Sequence, residues 1–396
     1  MRSEPAVPPT GPHTRRSTEV MGVSGRTLGS CPALRRTLGQ VKVATARANG
    51  DAGVVDASLS AALADAALAI AEGHVDPGAF PADLLAGGGS IAVHMNLNEV
   101  LAAMAADATG RPVDAKADAG ASQSTADVCH TASRLAVLDR GERLLAAVDS
   151  LLGTLTATAD RLEPITTLAR TCLQDAVAAP LSTVFEGSAE AIARRTAARA
   201  AALAPLQQVV LGATVIGRGD HADPAYRGVV VEHLAEVTGR PLTRHPGPAG
   251  ALQHGDDLVA VSSAVAQLAH PLLKLAADLR LLASGPDGGF GEVVLPDVLD
   301  GSSFFRGKRN PVVAETLIQA CIQVHGLDHA VQLAAGRAEL YLQVLDGLVT
   351  IDVLDELDLL ASAVDRFDRF VLADLEADPR RCGELADLAT PAGAVR

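Results

Sequence analysis

The feature that most constrains this 396-residue chain is a stripe of branched apolar residues between positions 258 and 282. The members recur at spacings of three and four: Leu258, Val261, Val265, Leu268, Leu272, Leu275, Leu279 and Leu282. One face of an α-helix repeats at that interval, so the stripe predicts a long helix with one side buried against neighbours, as in a helical bundle. Pro271 lies within it and predicts a kink, because its ring removes a helical hydrogen bond.

Further Ala- and Leu-rich patterns predict helices along most of the chain, because these residues lose little on entering a helix. They cover about 32–48, 58–72, 95–106, 129–161, 181–203, 251–283, 311–325, 327–347 and 353–390. No alternation of apolar and polar residues is long enough to predict a strand. The fold class is therefore all-α.

The helix lengths divide the chain into three predicted domains. Residues 1–126 form a small N-terminal helical domain, whose first 16 residues are a flexible lead-in. Residues 127–378 form a long central helical bundle, and residues 379–396 are the remnant of a truncated C-terminal domain.

Charge and composition exclude several functions. The chain has 33 basic and 47 acidic residues, a formal charge of −14, and only seven Phe, two Tyr and no Trp. Nucleic-acid binding needs a basic face and usually stacking aromatic residues, so a nucleic-acid partner is not expected. The sequence has no uninterrupted apolar run of about 20 residues, so no membrane span is predicted.

Cysteine and histidine spacing gives no sign of a metal site or a disulfide framework. The five cysteines are Cys31, Cys129, Cys172, Cys321 and Cys382, scattered and without a Cys-x-x-Cys pair. This usage favours a reducing compartment, and we expect a cytoplasmic protein. The histidines lack metal-ligand spacing, so no metal or cofactor is predicted.

Polar, glycine-containing segments interrupt the helical patterns, and chemistry in a helical protein usually lies in such loops. The richest segment is residues 285–311. It contains Ser302 and Ser303, the cations Arg306, Lys308 and Arg309, and then Asn310-Pro311, which suit a helix start. Hydroxyls, cations and a helix N-terminus together favour a site for a carboxylate, whereas a solvated basic loop with ordinary serine turns is the alternative.

Two shorter segments are open to a structural or a functional interpretation. Residues 122–127, SQSTAD, offer Ser124 and Thr125 to a second carboxylate, or they merely cap a helix at Asp127. Residues 170–175, RTCLQD, contain Thr171 and Cys172, and a lone cysteine is more often a buried small residue than a nucleophile.

Several motifs together resemble the aspartase/fumarase superfamily. Residues 301–311, GSSFFRGKRNP, are similar to its loop signature GSSxMPxKxNP, and residues 278–286, DLRLLASGP, to its NDLRLLASGP. Residues 87–99, GGGSIAVHMNLNE, resemble GAGTSxNMNxNEV, while SQSTAD and RTCLQD resemble SQSTND and GRTHLQDA. Residues 211–236 are most similar to the aspartate ammonia-lyase branch. The resemblance runs in one order from about residue 15 to residue 387.

The resemblance implies a homotetramer with a central bundle and active sites built from three chains. It implies anti elimination from a small dicarboxylate, a succinyl compound, which releases fumarate without a cofactor. By position, Ser302 would be the base that takes the Cβ proton. Ser124, Thr125 and Ser303 would hold the aci-carboxylate, and Lys308 and Asn310 would clamp the other carboxylate.

Departures from the family pattern fall around the leaving group. Ile91, Ala126 and Cys172 stand where the family has Thr, Asn and His or Gln, beside the position of Thr171. An ammonium group there would lack hydrogen-bond partners, at a cost on the order of 1–3 kcal/mol for each. The sequence also reads as shortened at both ends relative to the family.

These observations predict a lyase of the aspartase type acting on aspartate or on an N-substituted or nitro analogue. Two alternatives stay open: a fumarate hydratase-like carbon–oxygen lyase, and a lapsed enzyme kept as a scaffold or partner subunit. The retained serines and carboxylate clamp favour the active enzyme.

Overall fold

The computed structural model describes residues 10–299 and 301–389. Helices make up most of these ranges, which confirms the predicted fold class. The α-helices are α1 (Pro12–Met21), α2 (Pro32–Asp51), α3 (Ala57–Ala71), α4 (Ile91–Thr109), α5 (Thr125–Leu162), α6 (Ser182–Leu203), α7 (Pro224–Thr238), α8 (Pro248–His254), α9 (Asp256–Leu282), α10 (Val312–Ala335), α11 (Asp346–Phe367) and α12 (Pro379–Ala386).

The predicted apolar stripe is the buried side of α9. All eight of its members are buried, and the six between Val261 and Leu279 have no exposed surface. Each fully buried Leu or Val contributes about 1.5–3 kcal/mol to folding, so this helix is a main source of stability. The helix continues through Pro271, whereas Gly255 separates it from α8 with a left-handed φ of 62°.

Helix α9 is also, among the described residues, the one helix long and apolar enough to cross a bilayer by length and composition. Half of the most apolar 18-residue stretch of this helix is buried within the protein. A buried core helix of a soluble protein has the same properties.

The chain forms two compact units. The first comprises Met1–Gly141, Ala202–Ser262 and Asp328–Leu354, and the second comprises Glu142–Ala201, Ser263–Leu327 and Asp355–Arg396, apart from the residues that are not described. Helices α5, α6, α9, α10 and α11 contribute residues to both units. The three-domain division remains a prediction.

In the first unit, α2 packs against α3 and α7, and α3 packs against α4. Two short strands, β3 (Gln208–Val209) and β4 (Thr243–Arg244), pair in parallel. Helices α2 and α3 approach closely at Gly39: a Cβ atom there would lie 2.7 Å from the Ala71 backbone nitrogen and 2.9 Å from the Ala67 carbonyl oxygen. The absence of a side chain at Gly39 therefore sets the distance between the two helices.

In the second unit, residues 166–180 form a β-hairpin, and the expectation that the chain lacks strands is wrong here. Strand β1 (Thr166–Thr171) pairs antiparallel with β2 (Gln174–Pro180), in a register that places Thr171 opposite Gln174. The hairpin packs against α12, and β5 (Val293–Val294) pairs antiparallel with β6 (Glu376–Ala377). The strands escaped prediction because β2 has no buried residue and the two buried residues of β1, Thr167 and Leu168, are adjacent, so burial does not alternate along either strand.

The predicted lead-in is helical in part, because α1 begins at Pro12. The carboxylate of Glu99 accepts hydrogen bonds from the backbone N–H groups of His13 and Thr14, both at 2.9 Å. A negative group at the first turn satisfies N–H groups that have no partner within the helix. This distant cap could not be identified from the local sequence, and residues 1–9 of the lead-in lie outside the described residues.

Other helix boundaries also differ from the predicted ones. Helix α4 begins at Ile91 rather than Met95, and α10 is one helix that runs through Gly326, where two helices were predicted. Residues 336–345 are not helical, and α11 begins at Asp346. Residues 390–396 of the predicted C-terminal domain lie outside the described part of the chain.

We predict that Gly39→Ala destabilises the protein by about 1–3 kcal/mol, because the new methyl group forces α2 away from the backbone of α3. Gly153→Ala is the matched control: it lies within α5, nothing lies within 4 Å of the added Cβ, and removing a helical glycine stabilises by about 0.5–1 kcal/mol. Thermal unfolding of both variants measures the two effects. Equal shifts in the same direction would contradict the close packing at Gly39.

Candidate active site

The N-terminus of α5 carries the predicted carboxylate-binding hydroxyls of the first unit. Ser124 caps the helix: its Oγ accepts the N–H of Ala126 at 3.2 Å, and the Asp127 carboxylate accepts the N–H of Ser124 at 2.9 Å. This reciprocal arrangement is similar to a capping box, with Asp in place of Glu and with the Ser124 hydroxyl on the second N–H of the helix instead of the third. The capping interpretation is therefore confirmed for Ser124, whose substrate contact stays a prediction.

Asp127 is fully buried and connects α5 to a neighbouring loop. Its second carboxylate oxygen accepts the N–H groups of Gly212 at 3.0 Å and Thr214 at 3.2 Å. Burial raises the pKa of Asp127 from 3.8 to about 6, against the lowering effect of the backbone hydrogen bonds and of Lys42. The sequence indicates only a capped helix position here and gives no sign that this residue is buried.

Thr125, the next residue of the same helix, is linked to two buried basic side chains. Its Oγ1 lies 2.9 Å from Nδ1 of His94 on α4, and Nε2 of His94 lies 2.9 Å from Nζ of Lys42 on α2. Burial lowers the pKa of Lys42 from 10.5 to about 7, and burial together with the Lys42 charge lowers the pKa of His94 well below 6.5. Neither residue is among the predicted site residues.

The two leaving-group residues of the first unit have different surroundings. Ile91 is the first residue of α4 and 43% of its surface is exposed. Ala126 is buried in an apolar cluster with Val210, Ala251 and Leu252. An asparagine at position 126 would bury an amide among these residues, so the small apolar side chain is also required by local packing.

In the second unit, Thr171 and Cys172 lie at the tip of the β1–β2 hairpin. Cys172 and Leu173 form the two-residue turn with left-handed φ angles of 54° and 60°. Non-glycine residues in this conformation are strained by roughly 1–2 kcal/mol each, as type I′ turns normally use Asn and Gly. Cys172 is exposed, so the expectation of a buried small residue is wrong for this cysteine.

A buried ion pair holds the base of that hairpin. Arg170 contacts the fully buried carboxylate of Glu292 at 2.7 Å, and its guanidinium lies 4.2 Å from the centre of the Phe290 ring. The Thr167 hydroxyl donates to the other carboxylate oxygen of Glu292. Because breaking a buried ion pair leaves an uncompensated charge, these contacts fix the hairpin against residues 290–292.

The loop that carries Ser302 is closed upon itself. The N–H of Ser302 donates to the Lys308 carbonyl at 3.3 Å, and a Cβ atom on Gly301 would lie only 1.8 Å from that same oxygen. Within the loop, Ser302 Oγ accepts the N–H groups of Phe304 at 3.1 Å and Phe305 at 3.2 Å. The hydroxyl oxygen of Ser302 is thus held by two backbone donors.

The other predicted residues of this loop are exposed. Ser303, Lys308 and Asn310 are open to solvent, and Lys308 Nζ lies 5.8 Å from the centre of the Phe305 ring. Arg309 pairs with Asp297 at 2.9 Å. Helix α10 begins at Val312, one residue later than Asn310-Pro311 predicted.

The structure places the predicted residues in two groups. Ile91, Ser124, Thr125 and Ala126 belong to the first unit, whereas Thr171, Cys172, Ser302, Ser303, Lys308 and Asn310 belong to the second. Within the described ranges, no group of three or more His, Cys, Asp or Glu side chains could hold a metal ion.

The residues that sequence analysis missed share one property, burial of an ionisable group. For Lys42 a local signal exists, since Leu38, Val41 and Val43 flank it in the sequence and all are buried. For His94, the signal was its place in the segment that resembles GAGTSxNMNxNEV, at a position where the family has Asn.

Comparison with known proteins gives the family. A family model described as a lyase matches residues 10–326. The chain belongs to the aspartase/fumarase superfamily of lyases. It is 34% identical to an aspartate ammonia-lyase of Pseudomonas canavaninivorans over 95% of this chain and 81% of that protein. It is also 34% identical to a class II fumarate hydratase of Chromobacterium violaceum, over 96% and 84%.

Solved structures agree with this membership. The crystal structure of a fumarate lyase:delta crystallin from Brucella melitensis bound to cobalt is 34% identical and superposes with a TM-score of 0.91. The match covers 95% of this chain and 83% of that chain. The present lyase therefore shares its helical fold as well as its sequence pattern with the superfamily.

We predict that Asp127→Asn lowers the stability of this lyase by about 1–3 kcal/mol at pH 7, because an amide cannot accept all three backbone N–H groups. Folding raises the pKa of Asp127 from 3.8 to about 6, so the folded protein binds this proton more tightly than the unfolded chain does. Tighter proton binding gives wild type additional stability at low pH, and this additional stability is lost as the pH rises through about 6. The stability difference between wild type and variant should therefore widen between pH 7 and pH 4. Chemical denaturation across this range measures it, and a constant or narrowing difference would contradict the raised pKa.

Proposed function

We propose that this protein catalyses anti elimination from a succinyl compound, releasing fumarate, with Ser302 as the base that takes the Cβ proton. The observation that carries the proposal is the pair of backbone N–H groups, from Phe304 and Phe305, that donate to Ser302 Oγ in a loop with the superfamily signature. Family membership as a lyase supports the reaction class.

The chemistry requires an alkoxide-like serine, which is a costly species. Donors aimed at an oxygen stabilise negative charge on it and lower the pKa of the hydroxyl. Two backbone donors are already placed at Ser302 Oγ, and Lys308 adds a cation in the same closed loop. Dicarboxylate binding over this loop would also exclude water and strengthen these interactions.

The remaining groups would bind the two substrate carboxylates. We assign Ser124, Thr125 and Ser303 to the aci-carboxylate that forms when the proton leaves, and Lys308 and Asn310 to the other carboxylate. A homotetramer, in which three chains contribute to each site, would bring these groups together from different copies.

The five cysteines are all free thiols, which supports a cytoplasmic location.

The leaving group is best matched by an amine that is bulkier or less basic than ammonia, or by a hydrazine-like or nitro group. We assign Ile91, Ala126 and Cys172 to its pocket, beside Thr171. None of the first three side chains offers the amide or imidazole donors and acceptors that an ammonium group would use.

A fumarate hydratase activity is the second candidate, favoured by the 34% identity to a class II fumarate hydratase. It would use the same Ser302 loop with water as the leaving group. Malate and aspartate, offered separately, distinguish the two activities.

We predict that Ser302→Ala lowers the rate of fumarate release on the order of 10²–10⁴-fold, since it removes the positioned base. The assay follows the ultraviolet absorbance of fumarate with aspartate, malate and N-substituted or nitro succinates. Ser58→Ala, an exposed serine of α3, is the control and should keep full activity. If the folded wild-type tetramer releases no fumarate from any of these compounds, the scaffold alternative gains and the proposal fails.

We predict that Ile91→Thr combined with Cys172→His raises the preference for aspartate over an N-substituted analogue by roughly tenfold, because it restores hydrogen-bond partners for ammonia. Both positions are exposed, so the variant avoids the apolar cluster around Ala126. Val177→Thr, at an exposed position of β2, is the control for an added hydroxyl. Ratios of kcat/KM measure the preference, and an unchanged ratio would refute the assignment of the pocket.

A further inference from the structure

A buried lysine and a buried histidine stand directly behind one of the proposed carboxylate-binding hydroxyls. Lys42 and His94 are 2% and 4% exposed, and they link helices α2 and α4 to the first residue of α5. We propose that Lys42 and His94 are positioning residues that direct the hydroxyl proton of Thr125 towards the substrate carboxylate. This inference deepens the proposed function and rests on it for the identity of the ligand.

The surroundings of Lys42 determine which nitrogen of His94 carries the proton. An ammonium group has three hydrogens and no lone pair, so each of its partners must accept. Its partners are the Ala119 carbonyl at 3.2 Å, the Gln123 amide oxygen and His94 Nε2 at 2.9 Å. The amide nitrogen of Gln123 donates to the carbonyls of Ala119 and Ala121, which fixes its oxygen towards Lys42.

The direction of the remaining hydrogen bonds follows from this arrangement. Because Nε2 of His94 accepts, the neutral imidazole carries its proton on Nδ1, and that N–H donates to Thr125 Oγ1 at 2.9 Å. The Thr125 oxygen then accepts, so its own proton is released for an outside acceptor. Thr125 is half-buried at the start of α5, where no carbonyl of the same helix precedes it by four residues.

Loss of the Lys42 proton would reverse the chain of hydrogen bonds. A neutral amine has a lone pair that accepts from His94 Nε2–H, so Nδ1 becomes an acceptor and takes the Thr125 proton. The donor would then point away from the ligand. Since the pKa of Lys42 is lowered to about 7 by burial, this reversal falls near neutral pH.

Other ionisable groups face Lys42 and set the range of the test. On α5 these are Asp127, with a pKa of about 6, and Cys129, whose pKa burial raises well above 9. On α4 the ionisable group that faces Lys42 is His94, which burial keeps neutral. Asp118, in the loop after α4, lines the same small cavity as Lys42. Between pH 6.5 and 8.5 Asp127 is mostly ionised and the Cys129 thiol stays protonated, so Lys42 is the group whose protonation changes most.

The first experiment measures binding of succinate, a dicarboxylate without a leaving group, by calorimetry between pH 6.5 and 8.5. In wild type we expect the affinity to fall roughly tenfold as the pH rises, because a hydrogen bond to a charged group is lost. In His94→Asn the side-chain NH₂ donates to Thr125 at every pH, so we expect the affinity of wild type at pH 6.5 without the pH dependence.

Two further variants separate positioning from folding. Lys42→Met should bind succinate roughly tenfold more weakly than wild type at pH 6.5, and its affinity should not depend on pH. If Lys42→Met does not fold, His94→Asn alone tests the proposal. Lys274→Met, an exposed lysine of α9, is the control and should behave as wild type. Wild-type pH dependence retained in His94→Asn would overturn the proposal.

The second experiment does not need a ligand. In protein labelled with ¹⁵N-histidine, the His94 resonances are identified by their absence in His94→Asn, and they report which nitrogen is protonated. We expect the proton on Nδ1 at pH 6.5 and a shift towards Nε2 at pH 8.5. A proton on Nε2 at pH 6.5 overturns the positioning role, whereas the expected tautomer without succinate binding or fumarate release overturns only the proposed function.

Discussion

The buried carboxylate of Asp127 is the interaction on which the hydroxyl cluster of this lyase depends. It accepts backbone N–H groups from Ser124, Gly212 and Thr214, so one side chain fixes both the start of α5 and the loop beside it. The positions of Ser124 and Thr125 follow directly from where α5 begins. Placing a carboxylate in a buried site raises its pKa, and the three backbone donors offset part of that cost.

In the second unit, a buried carboxylate likewise fixes the position of a neighbouring segment. Glu292 is held by Arg170 and the Thr167 hydroxyl, and its own backbone carbonyl accepts the N–H of Asp378. The hairpin that carries Thr171 and Cys172 is therefore fixed at its base by a charge pair, while its tip remains exposed. In each unit, a buried carboxylate determines the position of nearby polar groups.

Helical periodicity predicted much of the fold, because a buried stripe leaves a direct trace in the sequence. The stripe of α9 is the clearest case, and the family motifs located the loop of Ser302. The hairpin left no such trace, since burial does not alternate along its strands and its turn uses Cys172 and Leu173 instead of Asn and Gly. The start of α1 depended on Glu99, 86 residues from His13, which local reasoning cannot connect. Burial of Lys42 and His94 likewise depends on packing between α2, α4 and α5, so the sequence could suggest these residues but not their relation to Thr125.

The exposed tip of the β1–β2 hairpin has a practical consequence. Cys129, Cys321 and Cys382 are buried and Cys31 is partly covered, whereas the thiol of Cys172 is exposed on a two-residue turn. A thiol reagent used sparingly should therefore modify Cys172 first, which would attach a spectroscopic probe beside Thr171 without any engineered cysteine. The natural sequence thus provides its own reporter for the arrival of a ligand, or of another copy of the chain, at this hairpin.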